Sequence, residues 1–283
     1  MPELRPMRIE DVEEVHDLNV LTFDALSASR NEPPEPPPPD PTVVYPRYRH
    51  LVETDPEGAW VATRDGTIVG CALALRREDV WGLSLLIVHP EAQSSGTGSA
   101  LLRRAHEYSE GARGRIIMAS SDPRALRAYF RLGLDFHPAV SAHGKPNMQA
   151  PDGLRAGDAS DIPFTAEIDR HVRGAAHGAD IGVQLEMGNA LLIAPGRGYA
   201  VVREGGGVRL LAARDDEAAS NLLRAALAGV EDELRVEAMT AKQQWAIGVC
   251  VEAGLELRLD AGAMFTSGDV GPFTPYLPSG AFL

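Results

Sequence analysis

The chain is short of cysteine. Among its 283 residues only Cys71 and Cys250 occur, far apart and without metal-ligand spacing. A disulfide framework and a structural zinc site are excluded on that count, and each cysteine reads as a small apolar core residue. Positive charge is also scarce: 27 Lys and Arg against 40 Asp and Glu leave a net charge of −13. Nucleic acid and anionic membrane are poor partners for such a field, because the phosphate-neutralising excess is missing. No apolar run reaches the length of a membrane span, and the opening MPELRPMRIEDVEEV has no signal-peptide core. These absences predict a cytoplasmic protein, without nucleic-acid or membrane partners and without a metal.

What is present has the composition of a globular protein, 44% hydrophobic and 24% charged, in a chain long enough for two domains. LRPMRIEDVEEVHDLNVLTF predicts a short strand and then a helix, with Asp11 and Glu14 spaced as a capping box. The proline-rich stretch 31–41 predicts an extended surface segment, and VVYPRYRHLVETDP a second helix. GAWVATRDGTIVGCALALRRED reads as a hairpin turning at Asp65-Gly66, and VWGLSLLIV as a third strand. After residue 98 the pattern runs helix, strand, helix with Gly133 as its stop, and a last strand LDFHPAV.

The pattern then restarts. Leu4, Arg5, Asp11 and Val12 recur as Leu154, Arg155, Asp161 and Ile162, at a constant shift of 150 (154 − 4). NALLIAPGRGYAVVREGGGVRLLAA reads as a strand pair, followed by a helix, and TAKQQWAIGVCVEAGLELRL mirrors SSDPRALRAYFRLGLDFHP. A duplicated domain is the expectation, with copies at 1–143 and 151–283 joined by a linker in SAHGKPNMQAPDG.

Between the third strand and its helix lies VHPEAQSSGTG, residues 88–98. Gly96 and Gly98 let backbone approach a ligand, and loop N–H groups with a helix N-terminus form an anion site. The loop fits neither G-x-G-x-x-G nor G-K-[ST], which removes the dinucleotide-binding and P-loop classes. Phosphate or pyrophosphate is one expectation; a strand-to-helix turn shaped by small residues is the other. Val88, Pro90, Gln93, Gly96 and Gly98 match V-x-P-x-x-Q-x-x-G-x-G/A, and Asp122, Ala125, Tyr129, Gly133 and Leu134 resemble N-x-x-A-x-x-x-Y-x-x-x-G-F. By both signatures and by element order, residues 3 to 140 resemble the GCN5-related N-acetyltransferases, the GNAT family. The departures are Ser94-Ser95 in the loop, Asp122 for Asn and Leu134 for Phe.

The resemblance implies an α+β fold of tandem GNAT-like domains, each a mixed, mostly antiparallel sheet flanked by helices. It implies acetyl-CoA as co-substrate. Its pyrophosphate would rest on the N–H groups of Gln93, Ser94, Ser95, Gly96, Thr97, Gly98 and Ser99, its pantetheine on the strand edge at Ile87 and Val88. Ser121 and Asp122 complete the implied cofactor set, although Asp122 also reads as a helix N-cap. Tyr129 falls at the family's general-acid position, and the Val88 N–H would polarise the thioester carbonyl. Many members carry a Glu on the strand before the loop; WGLSLLIV has none. Glu78, Asp79, His89 and the carboxylate of Leu283 are the substitutes, and Asp169, Arg173 and His177, four apart in turn, share one helix face as a second-domain candidate or a plain ion-paired surface.

The second copy reads as degenerate. AARDDEAASN replaces the loop, without glycine and with three carboxylates, and Cys250 and Gln243 replace Tyr129 and Asp122. The function so implied is acetyl transfer to a primary amine of a small molecule or peptide by the N-terminal copy of a monomer or homodimer. A non-catalytic acyl-CoA-binding regulator is the alternative.

Overall fold

The structure, a computed structural model, describes residues 2–30 and 40–283. Most of the proline-rich segment therefore lies outside the described residues. The chain divides into two compact units, Met1–Arg76 with Trp81–Ala112, and Arg77–Val80 with Arg113–Leu283.

In the first unit β1 (Glu3–Pro6) is followed by α1 (Val12–Ser29), α2 (Pro41–Thr54), β2 (Ala59–Arg64), β3 (Thr67–Arg77), β4 (Val80–Val88) and α3 (Thr97–Glu107). The strands are neighbours in the order β1-β2-β3-β4. Asp65 and Gly66 both take positive φ, 52° and 84°, the geometry that lets a two-residue turn follow strand twist. The expected capping box does not form. The Asp11 carboxylate instead accepts both Arg5 guanidinium nitrogens, at 2.6 and 2.8 Å, and the Arg8 N–H at 2.7 Å, while Glu14 accepts the Ile68 N–H at 2.6 Å. A bidentate charged partner outcompetes a single amide for the carboxylate.

The second unit contains β5 (Gly114–Ala119), α4 (Pro123–Arg131), β6 (Asp135–Gly144), β7 (Arg155–Gly157), α5 (Ile162–Val172) and α6 (Ala179–Glu186). Then come β8 (Ala190–Ala194), β9 (Gly198–Val202), β10 (Val208–Ala213), α7 (Asp216–Leu227), β11 (Leu234–Thr240), α8 (Gln244–Glu252), β12 (Glu256–Arg258), β13 (Ala263–Gly268) and β14 (Tyr276–Leu277). One sheet runs β14-β10-β9-β8-β7. Its side chains alternate faces. Leu191, Ile193, Val201, Leu210 and Ala212 join the cluster of α5 and the C-terminal segment, while Ala194, Ala200, Leu211 and Ala213 join that of α7 and α8. Period-two alternation on a sheet buried on both faces explains the near-continuous apolar runs.

Three expectations are corrected here. The expected strand pair is three strands, β8 to β10, because Gly196 and Gly205 to Gly207 turn the chain twice. The expected linker starts later, since Ser141–Gly144 continue β6: residues 135–138 pair with β13, and 139–144 pair with β11, with β12 on 141–143. Asp169, Arg173 and His177 do not share a surface helix. α5 ends at Val172, Gly174 takes φ 91°, and all three side chains are fully buried.

The duplication is visible in atoms. Arg155 donates to both Asp161 oxygens at 2.9 and 2.5 Å, and the Asp158 N–H to the same carboxylate at 3.1 Å, repeating the Arg5, Asp11 and Arg8 arrangement. Gly133 and Gly254 both follow their helices at φ 80°. Cys71 and Cys250 are free and buried, and burial pushes the Cys250 thiol up to about 12 and Cys71 further. Native protein is therefore expected to leave both thiols unreacted with a thiol-exchange reagent at pH 8, while denatured protein gives two equivalents. Fast native reaction would show that one of these cores opens.

Candidate active site

β4 delivers the loop. Val80, Trp81, Leu83, Leu85 and Ile87 are buried. The Trp81 indole N–H donates to Ala105 O at 3.0 Å, tying α3 to the strand. At the strand's end His89 N–H donates to Val69 O at 2.9 Å. Adjacent N–H groups of an extended chain face opposite edges, so the Val88 N–H faces away from β3. The Gln93 side-chain amide donates to Val88 O at 3.0 Å, and Ser95 Oγ donates to Ala92 O at 2.6 Å while lying 2.8 Å from Thr97 Oγ1. The loop is thus tied by its own side chains, and Ser95 has a structural task where the family pattern carries other residues.

Ser94 and Gly96 take left-handed conformations, φ 60° and 87°. Left-handed residues in such a loop turn successive N–H groups to one side, a concavity for an anion. Gly96 is the N-cap of α3 and no side chain caps the helix. Its first intrahelical acceptor bond is Ala100 N–H to Gly96 O, at 3.0 Å, so the N–H groups of Thr97, Gly98 and Ser99 precede the ladder. A Cβ placed on Gly96 meets nothing within 4 Å. Among the described residues nothing fills that position, and these residues fit a phosphate group.

Three substitutes for the missing base are occupied. His89 Nδ1 accepts the Glu91 N–H at 3.2 Å, and Glu78 pairs with Arg170 at 2.7 Å. Asp79 pairs with Arg113 at 2.9 Å. In the second unit, Asp122 caps α4 through the Arg124 N–H at 2.8 Å and also pairs with the Arg124 guanidinium. Ser121, half-buried, precedes that cap. Tyr129 on α4 is 6% exposed and stands edge-on to Phe265 of β13, ring centres 5.7 Å apart. Burial, with the Asp122 charge, raises its pKa well above the ordinary tyrosine value, so it holds its proton at neutral pH. Phe265 was not legible from sequence: it arrives on a strand from the far end of the chain, with no motif around it.

The second copy's counterpart differs in kind. β10 passes into α7 through Arg214 and Asp215 only. The Asp215 carboxylate caps α7 by accepting the Ala218 N–H at 2.9 Å and is itself held by Arg197. Leu283 is fully buried, its O 2.9 Å from His177 Nε2. His177 Nδ1 lies 2.9 Å from Asp169, which also accepts from Tyr199 OH. The second unit's own interior therefore holds these groups together.

The family model described as acetyltransferase (GNAT) family matches residues 23–134. The fold matches a protein of Pyrococcus horikoshii described as a putative acetyltransferase at TM-score 0.78, with 16% identity over 99% of this chain and 95% of that one. It also matches a tandem GNAT protein from the clavulanic acid biosynthesis pathway at 0.58, with 16% identity over 95% and 98%. A third match, a GCN5-related N-acetyltransferase of Sphaerobacter thermophilus, scores 0.57 with 17% identity over 99% and 98%. No curated protein matches the chain in sequence. The family model thus covers residues 23–134, and the chain as a whole shares its fold with these proteins, a tandem GNAT protein among them. Among the described residues, no helix is long and apolar enough to cross a membrane.

Proposed function

We propose that the N-terminal copy, residues 1–143, transfers an acetyl group from acetyl-CoA to a primary amine of a small molecule, and that the copy at 151–283 does not bind the cofactor. The observation that carries this is the contrast between the two helix N-termini. That of α3 is capped by a bare left-handed glycine beside an open face, whereas that of α7 is capped by its own carboxylate with Glu217 beside it. The helix N-terminus attracts an anion, and a resident carboxylate repels a second one.

Acetyl-CoA supplies an activated thioester. The Val88 N–H, turned to the strand edge opposite β3, polarises the carbonyl oxygen. The amine nitrogen bonds to the carbonyl carbon, the C–S bond breaks, and its electron pair leaves on sulfur. Tyr129, kept protonated by burial, gives the thiolate its proton, and the amine's surplus proton leaves through water. Gln93 holds the strand end in register by its bond to Val88 O.

Tyr129→Phe is expected to lower kcat by about ten- to a thousandfold with acetyl-CoA affinity nearly unchanged. Steady-state rates with calorimetric Kd values check this; an unchanged kcat removes Tyr129 from proton transfer. The β4 strand's lack of a carboxylate favours one other reading, a non-catalytic acyl-CoA-binding regulator. Thiol release on amine addition separates the two: an enzyme releases CoA with some amine, a binder retains acetyl-CoA with all of them.

A further inference from the structure

The helix pair α1–α2 of the first unit gathers polar atoms that fold stability does not explain. Four buried side-chain atoms there have no hydrogen-bond partner among the described residues: His16 Nδ1, Asn19 Oδ1 and Thr22 Oγ1 on α1, and Arg47 Nε on α2. His16, Asn19 and Thr22 are spaced three apart, within about a third of the helix circumference. His16 and Arg47 flank one ring. His16 meets Tyr48 edge-on with centres 6.2 Å apart, and the Arg47 guanidinium carbon lies 5.5 Å from the Tyr48 centre. Burial lowers the His16 pKa, so its ring is neutral at pH 7 and one nitrogen can accept.

Arg47 is the unusual member. Its Nη2 donates to Ser84 O at 3.1 Å and to Ser84 Oγ at 2.9 Å, which places the guanidinium on β4 itself. Among the described residues, the groups acting on its charge are the Tyr48 phenol and the Cys71 thiol, with no carboxylate. Desolvation accordingly lowers its pKa. Yet Arg5, Arg155, Arg197 and Arg224 all pair with carboxylates in this acidic chain. A charge taken out of water without a counter-ion is costly and is kept where a partner arrives from outside.

We propose that the acceptor amine carries a carboxylate, bound by Arg47 beside β4, with the neutral acceptor atoms of α1 receiving its amino end. This rests on the acetyltransferase reading and names its substrate class. The arrangement matches an amino acid: a guanidinium donor for the carboxylate, and His16, Asn19 and Thr22 as uncharged acceptors for N–H groups. A cation near the carboxylate also disfavours the ammonium form, and direct attack needs the neutral amine. That offsets the missing strand carboxylate.

The test uses the full chain with acetyl-CoA and matched amine pairs: α-amino acids and β-alanine against their carboxamides, and ethanolamine against phosphoethanolamine. Acetyl-CoA binding is measured by calorimetry in the same samples. The expected result is a kcat/KM at least tenfold higher for a carboxylate member than for its amide, lost in Arg47→Met and partly restored in Arg47→Lys, with acetyl-CoA Kd within twofold throughout. Arg47→Met is also expected to raise the Tm of the protein without acceptor, because it removes an unpaired charge. A preference for amides or for the phosphorylated member overturns the proposal, as does a lowered Tm in Arg47→Met, which would make Arg47 a structural tie to Ser84. If acetyl-CoA binds but no carboxylate-bearing amine is turned over, the acceptor assignment falls and the cofactor assignment stands. Failure to bind acetyl-CoA overturns the reading of the loop instead.

Discussion

Asp169→Ala is expected to cost about 3–5 kcal/mol of unfolding free energy, the range for stranding a buried charge or its partners. Asp169 is fully buried. Its carboxylate accepts the Tyr199 hydroxyl and the His177 N–H, the latter at 3.0 Å, and sits 2.9 Å from His177 Nδ1. Arg173, fully buried, sends Nη1 to Ala175 O at 2.8 Å, while its Nε and Nη2 have no partner among the described residues. Removing the carboxylate leaves two buried donors, the Tyr199 hydroxyl and the His177 backbone N–H, unanswered and takes the partner from the His177 ring. The Tyr199 hydroxyl, whose pKa burial raises, keeps its proton and becomes one of those donors. Chemical denaturation measures the loss as a fall in midpoint at unchanged slope. A loss below about 1 kcal/mol would mean that the network relaxes around the gap. Acetyl-CoA affinity of the folded fraction is expected to stay unchanged, since Asp169 lies outside the loop that carries the anion site.

Gly96→Glu is expected to abolish acetyl-CoA binding, with Kd raised at least a hundredfold, about 2.7 kcal/mol. The added side chain starts from a position where no described residue lies within 4 Å of the Cβ, and its charge opposes the pyrophosphate at the helix N-terminus. Gly96→Ala separates the two causes. It meets no protein atom and pays only for a left-handed conformation, about 1–2 kcal/mol. Wild-type protein is expected to bind one acetyl-CoA per chain. Two sites would show that α7, despite its Asp215 cap, also holds a phosphate. Retained binding in Gly96→Glu would reduce the loop to a turn.

Much of this protein is written locally. The period-two runs that become β2, β3 and β4, the Asp65-Gly66 turn, the glycine-spaced loop and the Pro123 and Gly133 bounds of α4 all depend on neighbours within a few residues. Such signals survive without knowledge of the rest of the chain. The duplication was legible for the same reason, because each Arg and Asp pair closes within six residues of itself. The family signatures likewise carry residues whose task is set by the loop's own backbone.

What required the tertiary structure is what depends on distant chain. Asp11 looked like a cap because local spacing said so, but Arg5 was the stronger claimant for its oxygens. Asp169, Arg173 and His177 had helical spacing, and only the packing of α5 against β9 and β10 shows that the helix stops and the charges go inside. β13 lies between β5 and β6 although it comes more than a hundred residues later in sequence, bringing Phe265 under Tyr129. Arg47 reads as one more surface arginine on an amphipathic helix; that it rests on β4 without a carboxylate is visible only when the strand is in place. Backbone pairing and desolvation are sums over residues far apart in sequence, so local periodicity determines the elements and the loop, and three-dimensional packing alone decides which charges are left without partners.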